Sequence, residues 1–348
     1  MNYYIGLDAH SQTCTAVVVN EKGEQKLRAT FETTESKLIE FISKVEGVKH
    51  LTFEECTLSQ WLYVTLFEHV DHLLVCNPVY VAKKQGAKTD YRDALHLAEE
   101  LRTNHLKPVY HEKSHWIELR TLTNNYLSLV DDIIRAKNRL KAVFRSEAVD
   151  TNTKNFYEDR DRVKDLTNPN ARFVAESLYE QISALEKLKA EYKDKFEKNR
   201  KKYRPIRNLS TVPGIDLIRA SIITAVVCQP QRFRNKHQFW GYSMLVRHIQ
   251  MSGGKIYGNK RIHGRRELRD VFLGAAESAL RTETSLRDYY EQLKARGISH
   301  KDAKIAVARK IAATCLCLLK NNDTFKNDYD LQQNERIKLR KELNLKNV

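Results

Sequence analysis

The sequence predicts a mixed α/β domain at its N-terminus, followed by a long helical segment and a mostly α-helical C-terminal domain. Two β-branched and aromatic runs open the chain on either side of a short polar turn, which is typical of a strand hairpin. Short apolar runs and segments with helical apolar spacing then alternate to about residue 110. Helical spacing dominates beyond that point, so the two parts are expected to be separate domains.

Three strands are expected to form a meander over 3–8, 13–20 and 26–33. Helices and short strands alternate after it: a helix over 35–44, a strand over 49–54, a helix around 61–66, a strand over 73–76 and a helix from about residue 90. This order, in which parallel strands extend an antiparallel meander, is shared by the ribonuclease-H-like fold. Asp8 is then expected where the first strand ends, and Thr89 or Asp90 is a natural N-cap for the last helix.

The middle of the chain predicts two long amphipathic helices, over 116–148 and 171–203, with a polar segment over 150–169 between them. Neither Gly nor Pro interrupts the first of these helices. The pair predicts an antiparallel helical hairpin or coiled coil, which could serve as an intramolecular arm or as a dimer surface.

Pro205 begins a C-terminal section that contains further helices and one Gly-rich stretch over 246–258. The apolar period drops to two in that stretch, which predicts an irregular hairpin or loop carrying Ser252. The predicted domains are a catalytic domain at 1–110, a helical arm at 111–204, a C-terminal domain at 205–325 and a polar tail at 326–348.

Composition limits the classes of function. The formal net charge of +16 implies a polyanionic partner, and nucleic acid is the default choice. The six cysteines are scattered without a paired motif, which favours a reducing cytoplasm. The N-terminus has no basic and apolar leader, and no apolar run reaches the roughly 18 residues of a membrane span. We therefore expect a soluble, cytoplasmic protein.

Four carboxylates are expected to meet at one edge of the predicted sheet. Asp8 ends the first strand, Glu54 ends the fourth, and Asp90 and Asp93 open the helix after the fifth. Each alone has a plainer explanation, as a turn residue or a helix-capping group. Together they cannot all stay ionised without cations, so the set predicts a site for Mg²⁺ or Mn²⁺. Two such ions can support phosphodiester cleavage.

Several segments carry the motifs of one known family: Gly6 to His10, Phe53 to Cys56 with Trp61 beyond it, Lys88 to Ala94, Thr211 to Ile215, Gln250 to Gly253, and Gly264 to Arg269. In this order they resemble the DEDD transposases of insertion-sequence family one-hundred-and-ten, which also includes Piv-type DNA invertases. The resemblance covers nearly the whole chain. Because Glu54 and Glu55 are adjacent on a strand, they face opposite sides and only one can be a ligand; Glu54 fits the family spacing better.

The resemblance implies a RuvC-like catalytic domain, a coiled-coil spacer and a C-terminal domain with a nucleophilic serine. By that resemblance, Ser252 would attack a DNA phosphodiester and form a phosphoserine link, with Mg²⁺ at Asp8, Glu54, Asp90 and Asp93. The family is also associated with a structured non-coding RNA that pairs with target and donor DNA, and with tetramers whose active sites combine two subunits. Tyr242 and Tyr257 are alternative nucleophiles.

Three other functions stay open on the residues alone. A metal-dependent nuclease would use the same carboxylates with water as the nucleophile and would give Ser252 no role. A nucleic-acid-binding scaffold with a degenerate site would bind no cation. An actin-like or sugar-kinase ATPase is disfavoured, because the 12 glycines form no phosphate-binding array.

Overall fold

The computed structural model describes residues 1–81, 89–113, 116–261 and 263–326. The chain divides into two compact units, 1–114 and 115–348. Lys88 of the family motif at 88–94 lies outside the described residues, as do all but the first residue of the predicted polar tail. The finer division of the second unit into an arm and a C-terminal domain stays a prediction.

The first unit is a six-stranded mixed sheet with helices. Its elements are β1 (Asn2–Ala9), β2 (Thr13–Asn20), β3 (Gln25–Glu32), α1 (Glu35–Ser43), β4 (Val48–Glu54), α2 (Ser59–Leu66), β5 (His72–Cys76), α3 (Asp90–Arg102) and β6 (Pro108–Val109). The strand order is β3-β2-β1-β4-β5-β6. β1 pairs antiparallel with β2 and parallel with β4, which in turn pairs parallel with β5. The predicted mixed α/β class and the meander are confirmed, and the ribonuclease-H-like fold stays a prediction.

Both faces of this sheet are covered. Ile5 and Leu7 of β1 point into a core that includes Leu38 of α1 and Leu62 of α2. On the opposite face, Ala94 and Ala98 of α3 pack with Val17 and Val19 of β2. α3 begins as predicted at the N-cap Thr89, whose hydroxyl accepts a hydrogen bond from the Arg92 N–H at 3.3 Å. The cap fixes where α3 starts, and therefore where Asp90 and Asp93 lie.

The second unit begins with two long helices, α4 (Trp116–Ser146) and α5 (Pro169–Lys202). The pair is antiparallel, because its contacts join rising residue numbers on α4 to falling numbers on α5. Tyr126 contacts Tyr192, the Lys137 Nζ lies 2.7 Å from Glu186 Oε1, and Phe144 contacts Tyr179. The polar segment between the helices is also packed: Phe156, Val163 and Leu166 are buried against the end of the pair.

The rest of this unit is mostly helical: α6 (Arg204–Leu209), α7 (Leu217–Val227), α8 (Lys236–Tyr242), β7 (Arg247–Ser252), β8 (Lys255–Arg261), α9 (Arg266–Ala279), α10 (Ser285–Ala295) and α11 (His300–Asn321). One core joins these helices to Tyr126 and Phe196 at the base of the long pair. α10 has no counterpart among the predicted elements. Within the part of the chain that the structure describes, no helix is long and apolar enough to cross a membrane.

Candidate functional site

A glycine lets α3 lie directly against β1. A Cβ added at Gly6 would stand 2.0 Å from the Ala94 carbonyl oxygen and 2.5 Å from the Ala98 nitrogen, so any side chain there would collide with the helix backbone. Alternate residues of a strand share a face, so Asp8 points to the same side as Gly6. The sequence therefore directs the Asp8 carboxylate toward α3.

The geometry of the two elements then brings Asp8 to the start of α3. Two residues along a strand rise about 6.6 Å, close to the roughly 6 Å of four residues along a helix. Moving from Gly6 to Asp8 on the strand thus matches moving from Ala94 back to Asp90 on the helix. The contact between Gly6 and Ala94 fixes the register that places Asp8 beside Asp90.

His10 completes the group at this edge. Its Nε2 lies 3.3 Å from Asp8 Oδ2 and 3.8 Å from Asp90 Oδ1. The ligand atoms of Asp8, His10 and Asp90 all lie within 4.8 Å of one another, and they are the one such group among the described residues. Sequence reasoning gave His10 no role, although its position two residues after Asp8 was a usable signal, because a carboxylate and an imidazole at i and i+2 of an extended segment share a side.

The electrostatic state of Asp8 reflects this crowding. Burial raises the pKa of Asp8 above its ordinary value, His10 lowers it, and the charges of Asp90 and then Asp93 raise it. Asp93 is therefore close enough to act on Asp8 through its charge, although its oxygens are outside the three-residue group. Burial is the largest of these effects, and together with the two neighbouring carboxylates it outweighs His10, so the pKa of Asp8 is raised.

Glu54 lies on the same sheet edge but its carboxylate does not join the three-residue group. The parallel register pairs Gly6 with Thr52 and Leu7 with Phe53, so Glu54 comes next to Asp8 on the side that faces α3. Its charge raises the pKa of Cys76, the residue opposite it on β5, where burial is the main cause of a pKa of about 12. Glu55 is the first residue beyond β4.

These residues fit a hard divalent cation. Carboxylate oxygens are the donors that Mg²⁺ prefers, and Asp8 and Asp90 already lie within the span of a shared ion. An imidazole is a donor that Mn²⁺ accepts more readily than Mg²⁺ does. A bound cation would also offset the repulsion among Asp8, Asp90 and Asp93, which contributes to the raised pKa of Asp8 beside the larger effect of burial.

Ser252 lies in a hairpin whose strand register shifts between Gln250 and Met251, which agrees with the predicted irregular hairpin or loop. β7 and β8 pair antiparallel, and Ser252 pairs with Lys255 across a two-residue turn. Both turn residues have positive φ, 55° at Gly253 and 76° at Gly254, the backbone of a type I′ turn. Ser252 is exposed, so its hydroxyl is open to a large substrate. It belongs to the second unit, and the carboxylates belong to the first.

The two alternative nucleophiles have different surroundings. Tyr257 is 67% exposed on β8. Tyr242 is half-buried at the end of α8, where the Arg232 guanidinium lies 4.5 Å from its ring centroid and the Arg265 Nε donates to its hydroxyl at 3.4 Å. Both cations belong to its immediate packing, which suits a structural role for Tyr242.

Comparison with known proteins supplies the family. A transposase model of the DEDD type of IS110 matches residues 5–147, and a model of the transposase IS116/IS110/IS902 family matches residues 206–291. One relative is the insertion element IS110 uncharacterized 43.6 kDa protein of Streptomyces coelicolor, which is 24% identical over 114 residues. That match spans 32% of this chain and 28% of the relative. Together the two models match most of this chain, and the chain belongs to the IS110 family of transposases.

Proposed function

We propose that this protein is a DNA transposase or site-specific recombinase that cuts and rejoins DNA with a divalent cation at a DEDD site and a serine nucleophile. The observation that carries the proposal is the meeting of Asp8, Asp90 and His10 at the end of β1. Membership of a transposase family supports the reaction class. The arrangement of β1, β4 and α3 agrees with a ribonuclease-H-like, RuvC-like domain, which is part of the proposal.

In this proposal Asp8, Glu54, Asp90 and Asp93 hold Mg²⁺ or Mn²⁺, and His10 orients Asp8. Such cations, when bound, stabilise the negative charge that develops on a phosphodiester during in-line displacement. The Ser252 Oγ attacks phosphorus, so that an Oγ–P bond forms while a P–O bond to deoxyribose breaks. The serine hydroxyl gives up its proton in the attack, and the leaving deoxyribose oxygen takes up a proton and becomes a free hydroxyl. The phosphoserine link keeps the energy of the broken bond for rejoining.

The proposal includes partners and a location. The net charge of +16 supports DNA binding and an accompanying structured guide RNA. Exposed apolar side chains on the long helix pair, such as Ile134 at 50% and Leu188 at 45%, support a homo-oligomer, a dimer or tetramer, formed through that pair. A cytoplasmic, nucleoid-associated location follows from binding DNA.

The test is a search for a covalent protein–DNA adduct, using DNA that carries the junctions flanking the gene. We expect denaturing gels to trap an adduct with the unaltered protein and with Tyr242→Phe and Tyr257→Phe, and to trap none with Ser252→Ala. Binding of the same DNA should survive in Ser252→Ala. An adduct that persists in Ser252→Ala would refute the serine role, and cleavage without any adduct would favour a nuclease that uses water.

A further inference from the structure

A cleft of about 430 Å³ lies beside the entry to β7, between that segment, α9 and the first turns of α11. Its volume falls within the roughly 300–1,000 Å³ of small-ligand sites. The cleft lies wholly within the second unit and is separate from the carboxylate site of the first unit. The β7–β8 hairpin that carries Ser252, here called the serine hairpin, forms part of the cleft wall, because Arg247 and Ile249 of β7 both line the cleft.

The charges around the cleft favour an anion. Four cations line it, Arg247, Arg269, Lys301 and Arg309, against one carboxylate, Asp302. That carboxylate already accepts a hydrogen bond from the Ser299 hydroxyl at 2.6 Å. Lys301 stands in the first turn of α11, where the helix dipole adds to the positive potential. Arginine forks match the oxygens of a phosphate group especially well.

The rest of the lining is apolar. Met244, Ile249, Leu273 and Ile305 contribute side chains to the same cleft as the four cations. A simple phosphate would leave this apolar surface exposed to water, and a purely apolar ligand would leave the net positive charge of the cleft uncompensated. Two of the cations also have partners within the protein: Arg269 contacts Asp270 at 3.6 Å, and the Arg309 Nε donates to the Leu245 carbonyl at 2.8 Å. The lining therefore fits a ligand that joins an anionic group to an apolar ring system.

The backbone at the cleft wall is fixed by the C-terminal cap of α8. Met244 has φ of 52°, in the left-handed region. It follows α8 in a Schellman arrangement, in which the Met244 N–H donates to the Gly241 carbonyl and the Leu245 N–H to the Trp240 carbonyl, each at 2.9 Å. Glycine is the favoured residue at this position, and a side chain there costs about 1–2 kcal/mol. Met244 lines the cleft in this conformation, so the cap of α8 sets the position of that wall.

We propose that this cleft binds a single nucleotide unit, displaced from its stack, with the phosphate on Arg247, Arg269 and Lys301 and the base against Met244 and Ile305. The inference rests on the proposed function in one respect, the choice of nucleic acid as the polyanion. DNA and RNA share the recognised chemistry, a base joined through a sugar to a phosphate. Occupation of the cleft would anchor a strand beside the hairpin that presents Ser252.

The test uses calorimetry on the full chain with four kinds of probe: deoxynucleoside monophosphates, ribonucleoside monophosphates, the nucleosides and inorganic phosphate. We expect a monophosphate to bind at least about tenfold more tightly than its nucleoside or phosphate alone, because only it contacts both linings. Comparison of the deoxyribose and ribose probes then identifies DNA or RNA as the source. Equal binding of phosphate and nucleotide, or no binding of any probe, would overturn the proposal.

A pair of variants on one helix locates the site. Arg269→Ala should weaken nucleotide binding about tenfold, since it removes a cation from the cleft. Arg266→Ala is the matched control on α9, because Arg266 is exposed, contacts Asp270 and does not line the cleft. Ile305→Trp should fill the cleft and abolish binding while the protein stays folded. Equal effects of Arg269→Ala and Arg266→Ala would refute the location.

The adduct assay separates this inference from the proposed function. Absence of nucleotide binding by a protein that still forms the Ser252 adduct refutes the nucleotide cleft alone. An adduct that persists in Ser252→Ala refutes the serine mechanism. If Arg269→Ala still weakens nucleotide binding in that case, the cleft remains supported.

Discussion

At the scale of single residues, Asp8 combines burial with a crowded electrostatic position. Its carboxylate is half-buried, it lies 3.3 Å from the His10 imidazole, and the charges of Asp90 and Asp93 act on it. A group placed for packing alone would not be surrounded in this way. If this group binds a cation as proposed, the crowding of Asp8 should destabilise the cation-free protein.

The variant Asp8→Asn tests whether the ionised Asp8 carboxylate destabilises the cation-free protein. Because burial chiefly raises the pKa of Asp8 in the folded state above 3.8, the carboxyl stabilises the fold only while protonated, and this contribution is lost as pH rises through the folded pKa. At pH 7 with EDTA, Asp8→Asn should therefore have a higher Tm than the unaltered protein, and the difference should vanish toward pH 3. Thermal melts from pH 3 to 8 measure this. A lower Tm of the variant at pH 7 would contradict it.

The adjacent glutamates provide a matched pair of variants. Glu54→Gln should weaken Mn²⁺ or Mg²⁺ binding roughly tenfold to a hundredfold, since the β1–β4 register puts Glu54 beside Asp8. Glu55→Gln, one residue further along, should leave the affinity unchanged. Calorimetry on both variants and on Asp8→Asn gives the comparison. Equal losses at Glu54 and Glu55 would remove Glu54 from the site, and binding that survives Asp8→Asn would favour a scaffold without a working centre.

At the scale of secondary-structure elements, the packing of α3 on β1 decides the site. The two elements touch through Gly6, Ala94 and Ala98, small residues that allow the backbones to approach closely. Asp8 lies two residues beyond Gly6 on β1, and Asp90 lies four residues before Ala94 on α3. Any shift of α3 along β1 therefore also shifts the two carboxylates relative to each other.

Gly6→Ala should therefore damage both stability and cation binding. The added methyl would meet backbone atoms of α3 at 2.0 and 2.5 Å, which cannot be relieved by a side-chain rotation. We expect a loss of about 1–3 kcal/mol in the free energy of unfolding, measured by urea titration, together with weaker Mn²⁺ binding. Gly241→Ala is the control, because nothing lies within 4 Å of its added methyl and a helical alanine gains about 0.5–1 kcal/mol. Unchanged stability in Gly6→Ala would contradict the packing argument.

The serine hairpin depends on its turn in the same way. Asparagine tolerates positive φ and is common at the first position of a type I′ turn, so Gly253→Asn should keep adduct formation. Gly254→Val should reduce it, since a β-branched residue at φ 76° strains the turn by roughly 1–3 kcal/mol and moves Ser252. Rates of adduct formation measure the difference. Equal rates for the two variants would show that the turn geometry does not position the serine.

At the scale of the whole molecule, the net positive charge is the property expected to govern nucleic-acid binding. A net charge of +16 predicts that DNA or RNA binding depends steeply on salt, because each neutralised phosphate releases counterions. With six to ten phosphate contacts, affinity should fall roughly 10³–10⁵-fold between 50 and 200 mM salt. Fluorescence anisotropy over a salt series measures the slope. A slope near zero would contradict binding driven by the basic surface.

Local patterns allowed much of the architecture to be predicted. The meander, the long helix pair and the N-cap at Thr89 follow from strand alternation, helical apolar spacing and capping chemistry, all of which are encoded within a few residues. Local patterns did not predict α10 or the burial of Phe156 and Val163 in a polar segment. Those features depend on partners far away in the chain, which short-range periodicity does not contain.

For the candidate site, the sequence by itself determined which groups are available: the carboxylates Asp8, Glu54, Asp90 and Asp93, the Gly-rich segment with Ser252, and the basic charge. Only the tertiary structure decided that Asp8 meets Asp90 and His10, while Glu54 and Asp93 stand outside that group. It alone revealed a cleft that joins four cations to an apolar wall. The physical reason is that the sequence specifies which side chains are present and in what order. The distances between side chains that are remote in sequence depend on tertiary packing, such as that of α3 on Gly6.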